Sequence, residues 1–211
     1  MNDQRRKRRR RCRCVTPNLD RQFDALVPHH LRHLSATHWT PVRVAVRVAS
    51  LLCASKDTRV LDVGAGIGKV CAIGALSGEG TWVGVEQCAP LVESATTLAR
   101  ALGVASRTRF VQGDAFSIDW NDFDALYFYN PFELQLFRDA AGTATPVEQI
   151  ARVQQRLAAL PSCTRVVTLH GFGGVMPSSF ELLYHEVVPG VGLDLAMWIQ
   201  RARRAAARGV S

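Results

Sequence analysis

The 211-residue chain contains no uninterrupted run of 18 apolar residues, so the sequence predicts no membrane-spanning helix. It has one close cysteine pair, Cys12 and Cys14, and no second pair that would complete a zinc signature. The other four cysteines are scattered, which is typical of small apolar core residues in a reducing compartment. No Ser/His/Asp set stands out either. These absences predict a cytoplasmic protein without a metal site.

Basic residues are concentrated at the two ends of the chain. Of its 26 lysines and arginines, eight lie in residues 1–14 and four in residues 201–211, so residues 15–200 hold 14, against 17 acids. A block of consecutive cations repels itself, so both ends are predicted to be tails. The block over residues 5–13 predicts contact with nucleic acid or a ribosome through phosphates. The alternatives are a merely solvated tail or a start codon placed too far upstream.

Three glycines at alternate positions, Gly64, Gly66 and Gly68, follow an apolar run at residues 59–63. A dinucleotide-binding turn requires G-x-G-x-x-G, but Lys69 stands where the third glycine belongs. A phosphate-binding P-loop is excluded because no G-K-[ST] follows. The pattern therefore predicts a buried strand that ends in a tight turn facing a nucleoside cofactor.

Acids end or follow three successive predicted strands. Asp62 ends the strand before the glycines, and Glu86 ends the strand at residues 81–86, where nucleoside-binding folds place a ribose-binding acid. Asp114 follows the strand at residues 107–112. The carboxyl ends of parallel strands meet at one sheet edge, so these acids are expected to share a site.

The run D-V-G-A-G-I-G at residues 62–68, with V-G-V-E and G-D-A-F downstream, resembles the class I S-adenosylmethionine (SAM) methyltransferases over roughly residues 37–170. The resemblance implies SAM as cofactor and S-adenosylhomocysteine as product, with Asp114 holding the adenine amine. It implies these cofactor-binding residues: Thr40, Asp62, Gly64, Ala65, Gly66, Gly68, Glu86, Gln87, Asp114, Ala115, Phe116 and Asn130.

The aromatic strand at residues 123–129 stops at Asn130-Pro131-Phe132. Amino-group methyltransferases carry [DNS]-P-P-[YFW] here, and this chain lacks the second proline. In that reading the Asn130 amide oxygen accepts a hydrogen bond from the target N–H, while Tyr129 and Phe132 wall the site. The alternative is a strand that ends in an Asn-Pro turn.

The alternation of strands and helices predicts an α/β, Rossmann-like, doubly wound sheet of seven strands. The sheet is expected to be mostly parallel, with an antiparallel pair from residues 180–188 and 193–200. Thr40 is predicted to cap a helix in which Pro41 takes the first position. The expected organisation is a basic tail (1–14), a helical cap (15–58), the catalytic domain (59–200) and a second basic tail (201–211).

The acceptor is harder to read from the sequence. The motif order is distantly similar to the non-SET protein-lysine methyltransferases, which favours transfer to a protein lysine. A nucleic-acid base, a small molecule and a non-catalytic basic binding module remain alternatives. Trp39 is a further site candidate, against ordinary packing, and His170 at the end of the fifth strand is another, against an ordinary strand-end polar residue.

Overall fold

A seven-stranded sheet forms the centre of the protein in the computed structural model, which describes residues 18–78, 80–129 and 145–202. The strands are β1 (Arg59–Val63), β2 (Thr81–Glu86), β3 (Thr108–Gln112), β4 (Ala125–Tyr129), β5 (Arg165–Leu169), β6 (Phe180–Val187) and β7 (Asp194–Gln200). Their order across the sheet is β3-β2-β1-β4-β5-β7-β6. Strands β1 to β5 run parallel, and β7 pairs antiparallel with both β5 and β6. The predicted fold class and closing antiparallel pair are confirmed.

Helices cover both faces of this sheet. They are α1 (Leu19–Asp24), α2 (Ser35–His38), α3 (Val42–Leu52), α4 (Lys69–Ser77), α5 (Ala89–Ala101) and α6 (Pro146–Ala159). Short 3-10 turns span His29–Leu34, Ala115–Ser117 and Trp120–Asp122. The capping box expected at α6 is present: Thr145 Oγ1 accepts from the Glu148 N–H, and Glu148 Oε2 accepts from the Thr145 N–H.

Alternating side chains of the central strands divide the core into two layers. Val60, Tyr127 and Val167 pack toward α3, α4 and α5, whereas Leu126 and Phe128 pack toward α6. Parallel strands must be covered on both faces, which explains their nearly continuous apolar sequences. No helix in the described part of the chain is long and apolar enough to cross a membrane.

The start of α3 differs from the sequence expectation. Pro41 is the residue before the helix rather than its first residue, and no side chain of its own segment caps it. Thr40 Oγ1 instead forms a hydrogen bond of 2.8 Å with the Tyr127 hydroxyl in the core. The Val42 N–H instead donates to Asp20 Oδ1 at 2.9 Å, from α1 in the predicted helical cap. The predicted Thr40 cap is therefore wrong, because a buried partner competes for its hydroxyl.

One close contact between helix and sheet depends on a glycine. Gly74 of α4 lies against the fully buried ring of Trp82 in β2, and a Cβ at Gly74 would sit 2.3 Å from ring carbon Cζ2. Protein interiors are close-packed, so the ring has little room to move. The glycine therefore lets α4 approach the sheet directly behind the glycine turn.

We expect Gly74→Ala to lower the free energy of unfolding by about 1 to 3 kcal/mol, because overpacking outweighs the better helix propensity of alanine. Urea unfolding measures the change. Gly78→Ala is the control, since its Cβ would lie 3.5 Å from the nearest atom, and its effect should stay within about 0.5 kcal/mol. Equal effects of the two substitutions would contradict the packing argument.

Candidate active site

The carboxyl ends of β1 and β4 mark the point where the strand order reverses. The chain proceeds from β1 to β2 and β3 on one side and then returns to β4 on the other. The loops that leave two such strands run in opposite directions and open a crevice between them, where ligands bind in open α/β sheets. The glycine turn after β1 and the aromatic end of β4 both lie at this crevice.

The glycine turn has the conformation that its sequence predicts. Gly64, Gly66 and Gly68 have φ values of 75°, 55° and 71°, a region that residues with a Cβ rarely adopt. The N–H groups of Gly64 and Ala65 both donate to Val85 O at 3.0 Å, which fastens the turn to the end of β2. The turn is thus held by backbone contacts to the neighbouring strand.

Two of these glycines serve different physical needs. A Cβ on Gly68 would lie 2.4 Å from the Phe110 ring and 2.9 Å from Ala95 Cβ, so this glycine allows close packing. A Cβ on Gly66 would meet no protein atom within 4 Å. Gly66 therefore exposes its backbone to open space, as a residue that lies against a ligand would.

Glu86 joins the turn to the end of β2. Its Oε2 accepts from the Gly66 N–H and its Oε1 from the Cys88 N–H, both at 2.9 Å. A carboxylate has about four lone-pair sites, so two further hydrogen bonds remain open to it. Glu86 therefore holds the turn in place and keeps acceptor capacity, which is compatible with the predicted ribose contact.

Asp62 lies beneath the turn, with only 3% of its surface exposed. The pKa of Asp62 is raised to about 7, mainly by burial. The hydrogen bond that Cys71 Sγ donates at 3.5 Å opposes this rise, and the charge of Glu86 adds to it. The buried Cys71 thiol likewise has a pKa well above its usual value, through burial first and then the Asp62 charge. The Asp62 side chain is thus bonded to α4 through Cys71, and its predicted contact with cofactor stays a prediction.

The loop after β3 places Asp114 on the surface. Its side chain accepts from the Phe116 N–H at 3.0 Å, and Phe116 itself is buried. Trp120 Nε1 donates to Ala115 O at 2.9 Å and fixes the loop from inside. The adenine-binding role of Asp114, Ala115 and Phe116 remains a prediction. Gln87, also predicted to bind the cofactor, is exposed just after Glu86.

Two arginines of α6 brace the same loop, and sequence reasoning missed both. The Arg156 guanidinium donates to the carbonyls of Phe116 and Ile118 at 2.6 and 2.8 Å. The Arg152 guanidinium lies 4.0 Å from the centre of the Phe116 ring. Their i, i+4 spacing was the available signal, but only the tertiary structure shows which loop they meet.

Two buried hydroxyls, of Thr40 and Tyr127, connect the segment before α3 to β4. The Thr40 hydroxyl, 4% exposed, pairs with the Tyr127 hydroxyl, and burial raises the pKa of Tyr127 well above its usual value. Trp39 is buried beside Thr40. Thr40 is therefore already engaged with the protein, and its predicted contact with cofactor is untested.

The acceptor end of the site is described only in part. Tyr129, the last residue of β4, is half-buried, while Asn130 and Phe132 lie outside the described residues. His170 follows β5 with a φ of 57° and an exposed side chain, and its N–H donates to Asp194 O at 2.7 Å. In the described ranges, no three His, Cys, Asp or Glu side chains come together in a way that would hold a metal ion.

Comparison with known proteins supports the same reading. The family model described as "Methyltransferase domain" matches residues 54–167, more than half of the chain. No curated protein matches the sequence significantly.

Solved structures share the fold at low identity. An RNA methyltransferase from Salinibacter ruber, in complex with S-adenosylhomocysteine, is 21% identical with a TM-score of 0.61, over 79% of this chain and 96% of its own. The putative methyltransferase YhhF from Escherichia coli is 15% identical with a TM-score of 0.56, over 76% and 86%. The [4+2]-cyclase SpnF is 18% identical with a TM-score of 0.57, over 77% and 82%. Likeness at this level shows the fold.

The raised pKa of Asp62 predicts a specific pH dependence of stability. The folded protein keeps a proton on Asp62 up to about pH 7, whereas the unfolded chain releases it near the ordinary value of 3.8. Stability is therefore lost as the pH rises between these values, by up to about 1.4 kcal/mol per pH unit. We expect Asp62→Asn to be more stable than wild type at pH 8, with a gain that shrinks toward pH 4.

Urea unfolding at pH 4, 5, 6, 7 and 8 measures this difference. The exposed Asp57 supplies the control, because Asp57→Asn should follow the wild-type pH profile. A difference between wild type and Asp62→Asn that does not change with pH would contradict the assignment.

Proposed function

The chain belongs to the methyltransferase domain family, and we propose that it transfers the methyl group of SAM to an amino nitrogen, with S-adenosylhomocysteine as the second product. The observation that carries the proposal is the glycine turn fastened by Glu86. A backbone without side chains faces open space at Gly66, and a carboxylate with spare acceptor capacity stands beside it.

The residues of the crevice fit this cofactor. The open backbone at Gly66 would accommodate its amino-acid and ribose part, Glu86 would accept from the ribose hydroxyls, and the exposed Asp114 would accept from the adenine amine. A hydrogen bond to a charged group contributes about 1.5 to 3 kcal/mol, so two such acids account for much of the affinity. When bound, the cofactor supplies an electrophilic methyl group on a sulfonium.

The chain must then orient the acceptor and favour its neutral form, with the amine proton already released to solvent before the attack. An in-line displacement gains most of its acceleration from orientation, so no covalent catalyst is required. A lysine reacts as the neutral amine, which costs about 4 to 5 kcal/mol at pH 7 from a reference pKa near 10.4. Desolvation of the amine lowers that cost. We assign alignment of the N–H to Asn130 and the walls of the acceptor site to Tyr129 and Phe132.

Protein lysine is the acceptor that the charge of the folded domain favours. Residues 15–200 carry 14 basic and 17 acidic side chains, so their net charge is slightly negative and does not repel a cationic lysine. A base of RNA is the second candidate, because the Salinibacter ruber neighbour is an RNA methyltransferase and the tail at residues 5–13 is suited to phosphates.

Labelling separates the two acceptors. Full-length protein, a cell extract and SAM with a radioactive methyl group should give acid-stable label that is lost on protease treatment and survives nuclease. Label that disappears with nuclease would replace lysine by the nucleic-acid candidate. Label that passes a small-pore filter before either treatment would indicate a small-molecule acceptor and would exclude both protein lysine and RNA.

Cofactor binding and transfer should separate by residue. Glu86→Ala removes the acceptor of two backbone N–H groups and of the ribose, so SAM affinity should fall at least about 100-fold by calorimetry. Asn130→Ala should keep SAM affinity within about twofold and lower the transfer rate at least about 100-fold, since it removes orientation only. Glu181→Ala, on the exposed face of β6, is the matched control and should change neither quantity. Equal loss of SAM affinity in both site variants would contradict this division of roles.

A further inference from the structure

Lys69 is a buried cation beside the glycine turn that the proposed chemistry does not use. It is the first residue of α4, directly after Gly68, and is only 3% exposed. The N-terminus of a helix carries a partial positive charge, so a cation there is unfavourable unless anions compensate it. A buried ammonium also loses its hydration and requires partners.

The compensating anions come from α1, more than 40 residues earlier in the sequence. Lys69 Nζ lies 2.7 Å from Asp20 Oδ1 and 3.5 Å from Asp24 Oδ1. It also lies 5.1 Å from the centre of the Phe23 ring, a cation–π contact from the same helix. Among the ion pairs of the described residues, this cluster alone has a buried cation.

Asp20 ties a third segment to the same point. The oxygen that binds Lys69 also accepts from the Val42 N–H at 2.9 Å, where α3 begins. Just before α3, Thr40 is bonded to Tyr127 of the core. One carboxylate oxygen thus connects α1 and the start of α3 to the residue that follows the glycine turn.

The segment after α1 continues over the turn. Residues 25–28, with His30 and Arg32, form one wall of a cavity of about 500 Å³. The other wall comes from Ile67 of the glycine turn and from one face of α5, between Pro90 and Leu98. The Arg32 guanidinium donates to the carbonyls of Ala25 and Val27, both at 2.8 Å, so this wall is braced internally. We call residues 18–34 the N-terminal cap. It is tied to Lys69 by the α1 carboxylates and faces Ile67 of the glycine turn across this cavity.

We infer that Lys69 is a positioning residue that closes the N-terminal cap on the glycine turn through Asp20 and Asp24, so that SAM affinity depends on this ion cluster. The inference rests on the proposed function for its ligand. Removing one partner of a buried ion pair leaves an uncompensated charge, which favours opening of the cap. An open cap lowers the fraction of protein competent to bind, and the apparent dissociation constant rises by the inverse of that fraction.

The test replaces the two carboxylates with amides of the same shape. Asp20→Asn combined with Asp24→Asn should raise the SAM dissociation constant at least about tenfold, as expected if about a tenth of the protein remains closed. At saturating SAM the transfer rate should stay within about twofold of wild type, because the cap does not act on the reacting atoms. Asp24→Asn alone removes only the longer of the two contacts. It should therefore raise the SAM dissociation constant less than the double substitution does and disturb folding least.

The control and a second measurement keep the inference separate from the proposed function. Glu181→Gln removes one partner of the exposed pair with Arg201 and should leave SAM affinity unchanged. Hydrogen exchange of residues 19–26 without cofactor should be faster in the double variant than in wild type. A folded double variant with wild-type SAM affinity would overturn the inference. If wild type binds no SAM, the proposed function fails, and equal exchange in the two proteins would then overturn the cap closure independently.

Discussion

The two hydrogen bonds that Glu86 accepts fix the glycine turn to the end of β2, and the geometry of the site depends on them. They fix Gly66 and Cys88 against the end of β2, while Gly64 and Ala65 are fastened to Val85 O on the same strand. A turn of three positive-φ glycines loses much conformational freedom on folding, so it requires such external contacts. With the turn fixed, its backbone forms one side of the crevice between β1 and β4, and β3 and α5 pack against it at Gly68.

The same arrangement places an acid, Asp62, where ionisation destabilises the folded protein. Asp62 is buried beneath the turn with Glu86 nearby, and its pKa of about 7 records the cost of ionising it. On the other side of the turn, Lys69 brings a buried positive charge that α1 must neutralise. Strain and unfavourable charges of this kind concentrate at functional sites, where the surrounding fold compensates for them.

The fold by itself does not decide the reaction. One structural neighbour at a similar TM-score is a [4+2]-cyclase, while two others are described as methyltransferases. Function resides in the site that a fold carries. Here the family match and the local features of the turn support methyl transfer, and the residues that follow β4 support an amino acceptor.

The sheet, the glycine turn and the acids near it could be predicted from the sequence, because strand periodicity, glycine spacing and capping chemistry are local signals. The α6 capping box at Thr145 was readable for the same reason. Two other features could not be predicted and emerge from the folded chain: Thr40 bonds to Tyr127 instead of capping α3, and Asp20 accepts from the Val42 N–H and neutralises Lys69. These contacts join residues from 22 to 87 positions apart. A local sequence pattern does not show which distant group will form a hydrogen bond with a buried polar atom.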